Sequence, residues 1–194
     1  LTMKKHSLLL KLFLVALMLT PIVNAQIILN SDRKPVIGDS FTRSEMDTSG
    51  VIEGASGENS IWDFSTVGAT GQQLVAQYIH PSEAMGNSLF PDADIAVVYD
   101  ELAYTFYNTD NNNVHALGIA GEDFSIRFSN AEKIAEYPFS FNSTFLDNFQ
   151  SEYELGEGVI NRRIGINQFT GDAYGTIILP DGSSHAALRV KIFR

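Results

Sequence analysis

Residues 171–192 spell out a β-hairpin, and the pattern they set recurs along most of the chain. Tyr174, Thr176 and Ile178 alternate before Pro180-Asp181-Gly182; Leu188, Val190 and Ile192 alternate after it, with Arg189 and Lys191 on the opposite face. Proline presets φ at the first corner of a tight turn, aspartate bonds its own backbone, and glycine takes the positive φ that ends the turn. A period of two commits one side of a ribbon to the interior and the other to water, so a chain built this way folds as sheet.

Other segments repeat the design. Phe124, Ile126 and Phe128 alternate with Ser125, Arg127 and Ser129. Further on, Phe145, Phe149, Tyr153 and Leu155 face inward while Asn148, Gln150, Glu152 and Glu154 face water. Residues 94–100 are apolar on both faces and predict a buried central strand. Residues 103–108 and 114–119 flank an asparagine-rich turn and predict another hairpin. Ile160, Ile164 and Ile166 share a face with Arg162. Residues 60–65 hold the only tryptophan, and Trp62 reads as a core anchor beside Phe64. Residues 46–59, rich in Gly, Ser and acids, predict a long surface loop. Residues 82–89 alone offer a helical turn. About ten to twelve short strands at roughly ten-residue spacing predict an all-β fold, an antiparallel β-sandwich or a strongly curved half-barrel built from hairpins. Almost no helix is expected after the leader.

That leader is residues 1–25. Lys4, Lys5 and His6 precede an apolar run over 8–19, interrupted by Lys11, and Val23-Asn24-Ala25 supplies the small residues of a cleavage site before Gln26. The run is short of the roughly 20 residues a membrane crossing needs, so no transmembrane anchor is expected after cleavage. The expected product is one all-β domain, residues 26–194, secreted or held at the cell surface. Its last residues stop inside a strand pattern, which predicts a C-terminal truncation. Loss of three lysines takes the formal charge from -10 to about -13, and an acidic surface repels phosphate backbones, so nucleic acid is not an expected partner. Cysteine is absent, which excludes disulfides, a thiol nucleophile and thiolate metal sites.

The remaining chemistry is sparse. His80, His115 and His185 lack zinc-site spacing. Gly54-Ala55-Ser56-Gly57 misses the nucleophile-elbow pattern, and Asp181, Ser183, Ser184 and His185 crowd one tight turn, where they read as turn formers. Carboxylates at predicted strand ends, among them Asp92, Asp94, Asp100, Glu101, Glu122 and Asp123, supply the pairs a glycosidase needs. Asp92, Asp94, Asp110 and Asn112 offer oxygen ligands for calcium, the one cofactor the sequence suggests, although the EF-hand pattern is broken by Val114. Tyr104, Phe106 and Tyr107 form the densest aromatic group, a stacking surface for a ligand if they face outward.

Several stretches resemble a known group of proteins: Asn24-Ala25-Gln26, residues 57–65 around Trp62, Leu89-Phe90-Pro91-Asp92-Ala93, and the 173–191 hairpin. They are similar to the N-terminal region of secreted Bacteroidota proteins, in which a β-rich domain of uncharacterised function precedes a C-terminal sorting domain for type IX secretion. The resemblance implies export and implies no reaction; no sorting domain lies within these residues. The expectation is an exported noncatalytic module that binds a protein or a glycan, or the structural N-terminal part of a larger secreted protein. The alternatives are an extracellular carbohydrate-active hydrolase with a carboxylate pair and a half-barrel carrier of an apolar ligand.

Overall fold

A computed structural model describes residues 26–100, 103–154 and 158–194; the expected leader lies outside the described residues. The strands are β1 (Ile28–Leu29), β2 (Ser40–Met46), β3 (Gly57–Asp63), β4 (Ala69–Ile79), β5 (Ile95–Tyr99), β6 (Ala103–Thr109), β7 (Asn113–Gly121), β8 (Ser125–Glu136), β9 (Phe139–Ser140), β10 (Thr144–Glu154), β11 (Ile160–Ile178) and β12 (Ser184–Phe193). The helical content of the described residues is three single 3-10 turns, two of them, Pro81–Glu83 and Asn87–Leu89, where the sequence places a helical turn. The fold is all-β.

Ten strands form one open sheet in the order β12-β11-β10-β8-β7-β6-β5-β4-β2, with β3 added in parallel beside β11. β1 and β9 form a separate antiparallel pair. From β4 to β8 the chain is an antiparallel meander, with residues 80–94 joining β4 to β5 and short turns joining the later strands. The sheet does not close into a barrel. The predicted central strand β5 is indeed central, with Ile95, Ala96 and Val97 buried. The predicted terminal hairpin is β11–β12, closed by Leu179 N to Ser183 O (2.9 Å) and Gly182 N to Leu179 O (2.9 Å), with Gly182 at φ 80°.

The path of β3 forces the sheet to curl. β3 leaves β2 at one edge, pairs with β11 beyond the end of β10, and returns to β4 beside β2. In a flat sheet the line of β10 stands five strand spacings from β4, roughly 24 Å. The connector from Asp63 to Ala69 contains a turn closed by Val67 N to Phe64 O and reaches about 18 Å at most. The sheet therefore cannot be flat, and the β2–β4 ribbon is carried back towards β3.

Among the described residues, small local covers bury the apolar surface in place of a second large sheet. The segment 80–93 folds over β5–β7, bringing Ala84 and Phe90 against Ala96, Phe106 and Ala120. The β1–β9 pair folds over β10–β12, bringing Leu29 and Phe139 against Phe145, Phe169, Leu188 and Val190. Phe145 and Phe169 are register partners and stack at 4.5 Å.

The β3–β11 junction depends on a missing side chain. A Cβ on Gly175 would lie 1.9 Å from Ser60 O, backbone against backbone, whereas one on Gly68 would meet open space. Urea unfolding should show Gly175→Ala losing about 2 kcal/mol or more, with Gly68→Ala within about 0.5 kcal/mol of the parent. Equal stability of the two variants would contradict the parallel junction.

Candidate interaction surface

Along β10 and β11 the even-numbered residues share one face, because Leu146 pairs with Gln168, Asn148 with Ile166, Gln150 with Ile164 and Glu152 with Arg162. Phe193 of β12 pairs with Gln168 and joins that face. The odd-numbered residues form the inner face, where Phe145, Phe149 and Phe169 are buried. On the outer face Leu146, Ile160, Ile164, Ile166 and Phe193 are between 56 % and 76 % exposed. Strands apolar on both faces ordinarily lie between two covers, and this stretch has one. A charged row crosses the outer face: Arg127 pairs with Glu152, and Glu152 Oε1 accepts from Arg162 Nε at 2.9 Å.

The same outer face is covered farther along β11 and β12 by the long loop, residues 47–56. The device is a latch on Arg189. Its guanidinium donates to both oxygens of Asp172 (Nε to Oδ1 2.8 Å, Nη2 to Oδ2 2.7 Å) and, through Nη1, to Glu53 O at 2.9 Å and Gly54 O at 3.3 Å. It also lies 5.7 Å from the Trp62 ring, whose Nε1 donates to Ala55 O at 3.2 Å. Lys191 Nζ bonds Glu53 Oε1 at 2.9 Å. Asp172 reaches Arg189 because the β11–β12 register shifts between Gly171 and Ala173, a bulge that re-aims the extra residue. The hydrogen bonds from Arg189 hold the Asp172 carboxyl below its ordinary range, and Asp172 raises the Arg189 pKa in turn. Between loop and β3 lies a cleft of about 390 Å³, lined by Val51, Ile52, Ile61, Trp62 and Phe64 with Asp47 and Asp63 at its polar side. Both carboxylates cap turns, Asp47 accepting from Ser49 N and Asp63 from Ser65 N.

The residues singled out in the sequence fall elsewhere. Phe106 is fully buried and stacks on Phe90 at 4.4 Å, Tyr104 packs against the same core, and Tyr107 is half-buried with burial raising its phenol pKa. Tyr104 and Phe106 lie under the segment 80–93, whereas Tyr107 falls on the other face of β6 beside Thr105, so the three do not share one outward stacking surface. Of the calcium candidates, Asp94 Oδ2 accepts from Thr109 N (2.9 Å) and Oγ1 (2.7 Å). Asp110 Oδ1 accepts from the amides of Asn112 and Asn113 at 2.7 Å each. The Asn113 side chain contributes most to lowering the Asp110 pKa. Among the described residues no three His, Asp or Glu are grouped to hold a metal ion. Asp92 lines a cleft of about 580 Å³ with Asn108, His115, Leu117, Asn130 and Asp147. Asp147 Oδ2 there accepts from Lys133 N at 3.0 Å. The other two histidines bond locally, His80 Nδ1 to Ser82 Oγ (2.7 Å) and His185 Nε2 to Ser183 Oγ (3.0 Å). Asp181 accepts from Ser183 N and serves the turn.

The outer face was legible as an isoleucine row; its exposure was not, since period two identifies a face without saying what covers it. No family model, no curated protein and no solved structure matches the chain.

The latch is open to a direct check, because Trp62 is the sole tryptophan. Asp172 has its pKa lowered in the fold, so the pair contributes fully above about pH 4. That contribution is lost as pH falls through the folded pKa below it. Arg189→Ala should red-shift Trp62 emission at neutral pH and cost about 2 kcal/mol. The parent should show the shift only in acid, and Asp172→Asn should abolish that acid step. Unchanged emission in Arg189→Ala would contradict the latch.

Proposed function

We propose that this chain is an exported, noncatalytic all-β module that works by binding another protein through the uncovered outer face of β10–β12. The observation that carries the reading is the pairing of a buried inner face with an apolar outer face, at Leu146, Ile164, Ile166 and Phe193, that nothing in the described chain covers. Contiguous apolar surface left in water is costly and marks a place where something docks. The lysine-led leader and small-residue cleavage site support a secreted or cell-surface location. The resemblance to secreted Bacteroidota proteins supports type IX export in the same way.

The hydrolase reading retains one foothold, the cleft holding Asp92 and Asp147. Glycosidic cleavage needs two convergent carboxylates and gains from rings that stack on sugar; Asp147 is spent on a backbone amide, and Leu117 is the cleft's largest apolar wall. A carrier of an apolar molecule needs an open apolar cavity, whereas the apolar side chains of the two clusters, one on each face, pack against their covers.

A photo-crosslinking residue at position 164, in cells that export the chain, should yield a discrete higher-mass adduct that Leu146→Asp weakens. The same residue at position 149, on the inner face, should yield none. Polysaccharide hydrolysis abolished by Asp92→Asn, with no adduct at 164, would establish the enzyme instead.

A further inference from the structure

The cleft between the latched loop and β3 is held in shape from both sides. On one side, Ile61, Trp62 and Asp63 are register partners of Thr176, Ile177 and Ile178 in β11, and Phe64 N donates to Ile178 O at 2.9 Å. On the other, the loop is tied at its start by Asp47 N to Gly68 O (2.8 Å), within by Val51 N to Thr48 O (3.0 Å), and at its end by Arg189 on the carbonyls of Glu53 and Gly54. Gly54 lies so close to the indole that a Cβ there would stand 2.8 Å from Trp62 Cδ1. Between these walls about 390 Å³ stays open, the lower end of the range for small-ligand pockets. We propose that this cleft binds a small amphiphilic cation, a primary ammonium group carried on a short apolar body. The site is separate from the outer face of β10–β12 and does not rest on the reading of that face.

The apolar half of the ligand is read from the walls. Val51, Ile52 and Ile61 line the hollow and remain 40 %, 81 % and 69 % exposed, while Trp62 between them is 6 % exposed. Neither core cluster takes in Val51, Ile52 or Ile61, so this apolar area stays available. Apolar side chains gathered around a hollow offer contact that an apolar body fills.

The charged half is read from Asp47 and Asp63. Each accepts from one serine, Asp47 from Ser49 and Asp63 from Ser65, and these bonds lower both pKa values, so both groups are ionised at neutral pH. Two bonds from a serine occupy about half of the roughly four acceptor positions on a carboxylate. Among the described residues the ion pairs engage Glu53, Glu132, Glu136, Glu152 and Asp172, and neither Asp47 nor Asp63. No lysine, arginine or histidine lines the cleft. Two negative charges without a countercharge select a positive head, and an ammonium group brings three donors to the free acceptor positions. The net charge of -10 draws any cation towards the surface; the apolar walls decide which one stays.

Trp62 is the sole tryptophan, so the cleft carries its own reporter. The protein is titrated with hexylamine against ethylamine, which keeps the charge and loses the body, hexanol, which keeps the body, and hexanoate, which reverses the charge. Hexylamine should saturate one site, change Trp62 emission and shift amide resonances at 47–54 and 61–68, with an affinity at least tenfold above the other three. Asp47→Asn and Asp63→Asn keep a turn-capping oxygen and remove the charge; each should weaken hexylamine about fivefold at unchanged melting temperature. Ile61→Ser should weaken hexylamine and leave ethylamine unaltered. Acetyl-lysine-methylamide separates two sources of this chemistry: affinity equal to that of hexylamine assigns the site to a lysine side chain of a protein, and clearly weaker binding assigns it to a free amine. Equal affinity for hexylamine and ethylamine, undiminished binding in both asparagine variants, shifts centred on the Asp92 cleft, or no saturation at millimolar hexylamine would overturn the proposal. So would weakening by Leu146→Asp, which lies on the outer face and should change nothing here.

Discussion

The structure depends on one strand. β11 runs nineteen residues from Ile160 to Ile178 and pairs with β10, β12 and β3. Without it the meander β4–β8 would keep its hairpins, but β3 and β12 would have no partner and the aromatic cluster Phe139–Phe145–Phe169 would lose one wall. Gly175 lets the β3 backbone approach closely, and the bulge after Gly171 turns Asp172 towards Arg189. Both departures from regular sheet lie in the part of β11 that holds two strands at once, where glycine and bulges have positional meaning.

From that strand follows an uneven distribution of cover. A single open sheet presents two faces, and each apolar stretch must find its own small lid. The segment 80–93, the β1–β9 pair and the latched loop 47–56 each supply one. On β10 and β11, away from these lids, Leu146, Ile164 and Ile166 of the outer face stay exposed. What that lack of cover leaves in water is the row Ile160, Ile164 and Ile166 of β11 with Leu146 beside it.

Much of this could be read in the sequence, for reasons particular residues make plain. Pro180-Asp181-Gly182 fixes a hairpin locally, and residues 94–100 declare a central strand because both their faces are apolar. The parallel pairing of β3 with β11 was hidden, since alternation reveals a strand without naming its neighbour; the clue was Gly175 within a strand pattern. Phe106 looked available because its cover, Phe90, comes from a segment with no periodicity of its own. The Asp172–Arg189 latch was invisible because the bulge that makes it changes the face on which Asp172 falls. The calcium candidates failed to gather because Asp94 and Asp110 bond the backbone beside them, a use of aspartate that composition cannot separate from metal binding.

The most direct measurement is residue-resolved amide hydrogen exchange along β11. A sheet built on this strand predicts slow exchange throughout 168–178, where β12 lies on one side and β10 or β3 on the other. Fast exchange across 168–178 would contradict it.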